Sequence, residues 1–120
     1  MLDMAETPLY NYRIPITLPD IMLRNIFLGF IKLHILYHAG QSPVFGLGLI
    51  SELETHGYRL SPGTLYPILH ALERDGFLVC EKKIVNGKLR KYYTSTDSGA
   101  AVLAEAYAKA RELLDEIQPN

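Results

Sequence analysis

Apolar positions follow three rhythms along the chain, and each predicts a different kind of element. From Asp20 to His38 they recur so densely (Ile26, Phe27, Phe30, Ile31, Leu33, Ile35, Leu36) that they surround most of a helical circumference. That is the pattern of a central helix in a small helical domain. Gly40, Ser42 and Pro43 break it. Val44 to Thr55 predicts a second helix, with Leu49, Ile50 and Leu53 on one face, Glu52 and Glu54 on the other, and His56-Gly57 as its stop. A third is expected from Pro62 to Arg74, where Ser61 offers an N-cap oxygen and Pro62 suits the first helical position, which needs no amide donor. Pro67 removes a donor inside it, so a tightened or kinked first turn is expected.

After Gly76 the rhythm becomes that of strands: Phe77 to Val85, then Asn86-Gly87, then Lys88 to Thr94. Asn-Gly between two such runs is the strongest short-range hairpin signal. As a two-residue loop it pairs Val85 with Lys88, Ile84 with Leu89, Lys83 with Arg90 and Lys82 with Lys91. A last helix starts at Ser95 or Thr96, carries Asp97 in its first turn and runs to about Gln118, before Pro119. On it Leu103, Tyr107, Ala110, Leu114 and Ile117 trace a seam like that of a coiled coil. The seam suits a twin helix in a dimer and, equally, the chain's own first helix; a second apolar set, Val102, Ala106 and Leu113, lets both hold. Residues 1–19 carry Pro8, Pro15 and Pro19 beside alternating Tyr10, Tyr12, Ile14, Ile16 and Leu18. Proline excludes a helix there; an extended arm on a partner surface, an edge strand and a disordered tag all fit.

This order predicts a mainly α fold with a small two-stranded β wing, a winged helix-turn-helix with an additional C-terminal dimerisation helix. Residues 1–19 form the extended arm, 20–94 the DNA-binding domain and 95–120 the dimerisation helix. In such a domain the third helix enters the major groove and the hairpin reaches along the backbone or minor groove. Helical spacing turns Leu65, Ile68, Leu69 and Leu72 to the core, which leaves Gly63, Pro67, His70 and Arg74 outside with Thr64 and Tyr66 flanking. Its N-terminal amides, with the Thr64 and Tyr66 hydroxyls, can approach a phosphate. An ordinary amphipathic helix with a solvated outer face has the same wheel.

The hairpin discriminates better. Two successive cross-strand pairs set cation against cation, which costs about 0.2–1 kcal/mol per pair unless a polyanion supplies the missing charge. Lys82, Lys83, Lys88, Arg90, Lys91 and the helix-end Arg74 form the basic set, with only Glu81 nearby to offset it. Lysines that merely keep an exposed ribbon soluble are the alternative; the mutual pairing of the cations favours phosphate.

Composition adjusts the picture in one place. The 120 residues, 48% hydrophobic and 21% charged, suit one globular domain. A formal net charge of −1 argues at first against a nucleic-acid partner. Its distribution reverses the argument: residues 1–56 carry −2, residues 57–93 carry +4 and residues 94–120 carry −3. A single Cys excludes an intrachain disulfide framework and makes a reducing, cytoplasmic compartment the default. Arg24, Lys32, His34 and His38 interrupt the apolar run from Met22 to Ala39, so no membrane span is expected, and Asp3 and Glu6 precede any cation, unlike a secretory signal.

No enzyme, metal site or cofactor is predicted. His34 and His38 have the i, i+4 spacing of two metal ligands, but no carboxylate or thiolate is spaced to complete a site locally, and they read as partly buried helix residues. Cys80 alternates with Leu78 onto the core side of the hairpin, as a packed thiol. Gly46-Leu47-Gly48 falls in a helix without the strand context of a dinucleotide loop.

With these residues in view, the sequence resembles the PadR-like family of transcriptional regulators. The likeness is densest in Ser61-Pro62-Gly63-Thr64-Leu65-Tyr66-Pro67-Ile68-Leu69, Leu72-Glu73 and Gly76-Phe77-Leu78, and resumes at Arg90-Lys91-Tyr92-Tyr93 and Thr96-Asp97-Ser98-Gly99. The resemblance implies a winged-helix homodimer on double-stranded palindromic operator DNA, usually a repressor and often released by a small-molecule effector. It places Ser61, Thr64 and Tyr66 on the reading helix and Lys88 and Arg90 on the wing. The chain departs from the family pattern in three ways: Leu47-Gly48 after Gly46 where a Gly-Tyr-Glu is usual, no Trp, and a longer N-terminal arm. The competing expectation is a winged-helix protein-interaction module whose basic hairpin meets an acidic partner.

Overall fold

The structure, a computed structural model, describes residues 18–119. The chain forms α1 (Leu18–Gln41), α2 (Gly46–Thr55), α3 (Pro62–Arg74), β1 (Leu78–Val85), β2 (Lys88–Ser95) and α4 (Asp97–Ile117). This is the expected order of three helices, an antiparallel hairpin and a last helix, the winged helix-turn-helix arrangement. The expected arm before residue 18 lies outside the described residues.

Boundaries moved where backbone hydrogen bonds overrode the apolar pattern. α1 starts at Leu18 and takes in Pro19, which a first helical turn tolerates. α2 starts at Gly46 instead of Val44 because Val44 is engaged elsewhere: its N–H donates to the Tyr93 carbonyl at 3.0 Å and its carbonyl accepts from the Tyr93 N–H at 2.7 Å, adding a one-residue bridge beside β2. β1 starts at Leu78, since the Phe77 N–H donates back to the Leu72 carbonyl at 2.9 Å. That bond, with Gly76 N–H on the Glu73 carbonyl and Gly76 at φ +85°, closes α3 in a Schellman motif. Gly57, at φ +89°, closes α2 in the same way through Tyr58 N–H on the Leu53 carbonyl. α3 is α-helical throughout, Pro67 included; the tightening is confined to its start, where the Thr64 and Leu65 amides share the Ser61 carbonyl at 3.0 Å.

The hairpin register is the one read from Asn86-Gly87: Val85 pairs with Lys88, Ile84 with Leu89, Lys83 with Arg90 and Lys82 with Lys91. Asn86 at φ 52° and Gly87 at φ 76° supply the two left-handed positions of a primed turn.

The core gathers Ile31, Ile35, Leu36 and Ala39 of α1, Leu49 and Leu53 of α2, Leu65, Leu69 and Leu72 of α3, and Leu78 and Tyr93 of the hairpin. Each buried aliphatic side chain contributes about 1.5–3 kcal/mol relative to exposure. α4 is clamped at its base. The Thr96 hydroxyl donates to the Gly76 carbonyl at 2.6 Å and accepts from the Gly99 N–H at 3.1 Å, and the Ser95 hydroxyl donates to the Leu36 carbonyl at 2.7 Å. Gly99 passes so close to the Phe77 carbonyl that a Cβ would overlap it.

α1 corrects the expectation of a helix buried all round. Its second half is core, but Met22, Ile26 and Phe30 are exposed in this chain. No helix among the described residues is long and apolar enough to cross a membrane.

Candidate nucleic-acid interface

α3 divides as its wheel predicts: Leu65 and Leu69 are fully buried, Leu72 nearly so and Ile68 partly, while Gly63, Pro67, His70 and Arg74 are exposed. Ser61 is the N-cap in extended conformation, but its hydroxyl makes no capping bond to the helix amides; it lies 3.3 Å from the Thr64 hydroxyl instead. That places two hydroxyls at the N-terminal end of a helix, the end that favours anions.

Two members of the set are more engaged than their positions suggested. Tyr66 is half-buried, and its hydroxyl presses on Gly46, the first residue of α2, where a Cβ would overlap it. Arg74 lies 3.4 Å from Asp75, an exposed pair that leaves the guanidinium largely solvated.

Alternation splits the wing cations between two faces. Lys83, Lys88 and Arg90 share one face with Glu81 and Tyr92; Lys82 and Lys91 share the other with Tyr93 at its base and Ile84 and Leu89 at its tip. The sequence reading treated them as one set, but no single face carries all five. Of the five, Arg90 is the one that is partly buried. Its guanidinium lies over the Phe45 ring, 4.3 Å from the centroid, and within 3.4 Å of the Tyr92 hydroxyl, while the Tyr92 ring meets Phe45 edge-on at 5.7 Å. The Lys83 ammonium lies 5.6 Å from the Tyr92 centroid. Lys82, Lys83, Lys88 and Lys91 are exposed.

Phe45-Gly46 is therefore a junction that sequence reasoning missed. Phe45 receives the wing through Arg90 and Tyr92, and Gly46 receives α3 through Tyr66. The two basic or anion-favouring elements are set against one dipeptide at the head of α2. Tyr92 was legible, two residues from Arg90 on one strand face; Phe45 was not, because nothing local places it beside the hairpin.

A second unforeseen cluster lies between α1 and the end of α2. Its members are His34, His38, His56 and Glu52, with the Glu52 carboxylate 3.2 Å from His38 Nε2 and 3.3 Å from His56 Nε2. The i, i+4 pair was visible in the sequence, its partners only in the fold. Burial, then the facing His56 and His38, hold His34 below the usual imidazole pKa against the opposing pull of Glu52.

The α4 seam resolves into two parts. Leu103 packs on the chain's own core together with Val102, whereas Tyr107, Ala110, Leu114 and Ile117 are exposed. Between α1, α3 and α4 runs an apolar groove of about 470 Å³ lined by Ile26, Phe30, Leu33, Leu72, Phe77 and Val102.

Comparison with known proteins converges on one group. Residues 35–105 match the profile of the transcriptional regulator PadR-like family. The chain is 49% identical over 95 residues to Transcriptional regulator Rv3488 of Mycobacterium tuberculosis, a match covering 79% of this chain and 89% of that protein. Among solved structures, the PadR family transcriptional regulator of Eggerthella lenta superposes with a TM-score of 0.71 at 33% identity, covering 82% of this chain and 87% of its own. The PadR-like transcriptional regulator of Bacillus cereus gives 0.67 at 27% identity, covering 80% and 99%.

Proposed function

Given that the chain belongs to the PadR-like family of transcriptional regulators, which are not enzymes, we propose that it is a homodimeric repressor of palindromic operator DNA. In this reading Ser61, Gly63, Thr64, Tyr66, Pro67, His70 and Arg74 present α3 to the major groove, and Lys82, Lys83, Lys88, Arg90 and Lys91 contact the backbone beside it.

The observation that carries the reading is the Phe45-Gly46 junction. A recognition helix and a wing can contact one duplex only in a fixed relative pose, and this dipeptide packs against both. Paired cations on the hairpin and the +4 segment from residue 57 to 93 supply the electrostatic side. A dimer rests on different ground: the exposed Tyr107, Leu114 and Ile117 of α4, and Met22, Ile26 and Phe30 of α1, are apolar surfaces that a twin would cover. A small apolar effector would fit the groove between α1, α3 and α4, whose volume is in the range of ligand sites.

Selection of bound sequences from random duplex DNA tests the proposal. A palindromic consensus with half-sites one helical turn apart is expected. Against that operator, log affinity should fall with log salt at a slope of about −5 to −9, from roughly 3–5 phosphate contacts per protomer. Enrichment of no sequence over random duplex would transfer the reading to a winged-helix protein-interaction module.

A further inference from the structure

Three of the four histidines in the sequence converge on one spot outside the interface just described. His34 and His38 stand one turn apart on α1, and His56 is the C-cap of α2. A ring nitrogen from each lies within 4.8 Å of the others. His34 stacks on His56 with centroids 4.3 Å apart, and its ring is nearly parallel to that of His38 at 6.2 Å. Glu52, one turn before His56, reaches both His38 and His56 with one carboxylate oxygen.

We propose that His34, His38 and His56, with Glu52, form a binding site for a divalent transition-metal ion of the zinc class. Three imidazoles and one carboxylate are a ligand set that zinc uses in tetrahedral sites. Imidazole also selects the class: it suits zinc, cobalt, nickel and copper, whereas magnesium and calcium call for oxygen donors. Tetrahedral bonds of about 2.0–2.1 Å require ligand nitrogens about 3.3 Å apart. The present spacing, within 4.8 Å, is about 1.5 Å wider than that at most, and the rings that must close it are partly exposed. His38 is 26% and His56 40% exposed at the side chain, which leaves a hydrated ion a way in. One Glu52 carboxylate oxygen already lies between the Nε2 atoms of His38 and His56, so three of the four ligand groups converge on one point before an ion arrives.

The ligands come from two elements, α1 and the C-terminal end of α2. An ion would therefore cross-link α1 to the C-terminal end of α2, at the point where the chain turns toward α3. Binding to the folded chain alone stabilises it by mass action.

The test uses the full-length protein dialysed against chelator, titrated with Co²⁺ by visible spectroscopy and with Zn²⁺ by calorimetry, in the absence of DNA. One ion per chain is expected, with a rise in Tm of about 5 °C or more at a hundredfold excess over Kd. His34→Ala and His56→Ala should each weaken binding tenfold or more, and Glu52→Gln should weaken it less. Cys80→Ser should leave it unchanged. His56→Gln, at a half-exposed helix end, provides a variant that keeps its fold if His34→Ala loses its own, as judged by circular dichroism. Absence of uptake, uptake indifferent to both His56 substitutions, or uptake lost in Cys80→Ser would each overturn the site. DNA takes no part in these measurements, so their outcome is separate from that of the operator selection.

Discussion

Arg90 and Lys88 are two residues apart on the same strand face yet differ in what they do. Arg90 is tied to Phe45 and Tyr92 and so sets the pose of the wing; Lys88 is exposed beside the turn. Reversing both charges in Lys88→Glu, Arg90→Glu should weaken operator binding at least tenfold and lower the magnitude of the salt slope by about 3–4 for a dimer losing four phosphate contacts. Full affinity in that variant, measured by anisotropy at two salt concentrations, would remove the wing from the interface. Tyr93 offers a test inside the core. Its ring is fully buried, its hydroxyl lies out of solvent beside Cys80, and burial, followed by the neighbouring Cys80 and Glu73, pushes its pKa up to about 12. A phenol that ionises later in the folded than in the unfolded chain gives stability that is complete below pH 10 and is lost as pH rises toward 12. The loss attributable to Tyr93 should be on the order of 1 kcal/mol by pH 11. Tyr93→Phe should remove that component and change stability at pH 8 by less than about 1 kcal/mol, as urea midpoints at the two pH values would show.

At the scale of elements, the hairpin was the most legible part, because Asn-Gly constrains both turn geometry and register, and register alone determines which side chains face one another. The helices were legible in existence and less so at their ends. Val44 carries the apolar pattern of α2 yet spends both backbone groups on Tyr93, 49 positions away, a pairing that no local window contains. The junction of β2 with α4 depends on a close approach of the same kind. Gly99→Ala would set a methyl group against the Phe77 carbonyl, and backbone cannot turn aside as a side chain can. The substitution should cost about 1–3 kcal/mol in chemical denaturation. A stability unchanged within error would mean that α4 shifts on its base.

The described residues form an elongated body, 52 × 32 × 22 Å with a radius of gyration of 15.8 Å, against about 13 Å for a compact domain of 100 residues. Elongation follows from α4, whose final turns extend past the core with Tyr107, Leu114 and Ile117 uncovered. If these residues meet their copies in a twin, sedimentation will give about twice the 13.5 kDa chain mass, and Leu114→Asp with Ile117→Asp will return it to one. Because the substituted positions are exposed in the single chain, that variant should keep its helical circular dichroism. A variant that stayed dimeric would move the contact to α1 and the groove beside it.

Local chemistry was enough for the order of elements, the hairpin register, the buried face of α3 and the concentration of positive charge between residues 57 and 93. Periodicity, turn residues and charge are properties of neighbours along the chain, and they are readable there. Tertiary structure alone decided what depends on distant residues meeting. It set Phe45-Gly46 between α3 and the wing, and it packed Leu103 on the core while leaving the rest of its seam exposed. It also brought His56 and Glu52 to an α1 pair that had looked incomplete. Each of these is a coincidence of surfaces from separate elements, and only the packing of the core fixes how those surfaces align.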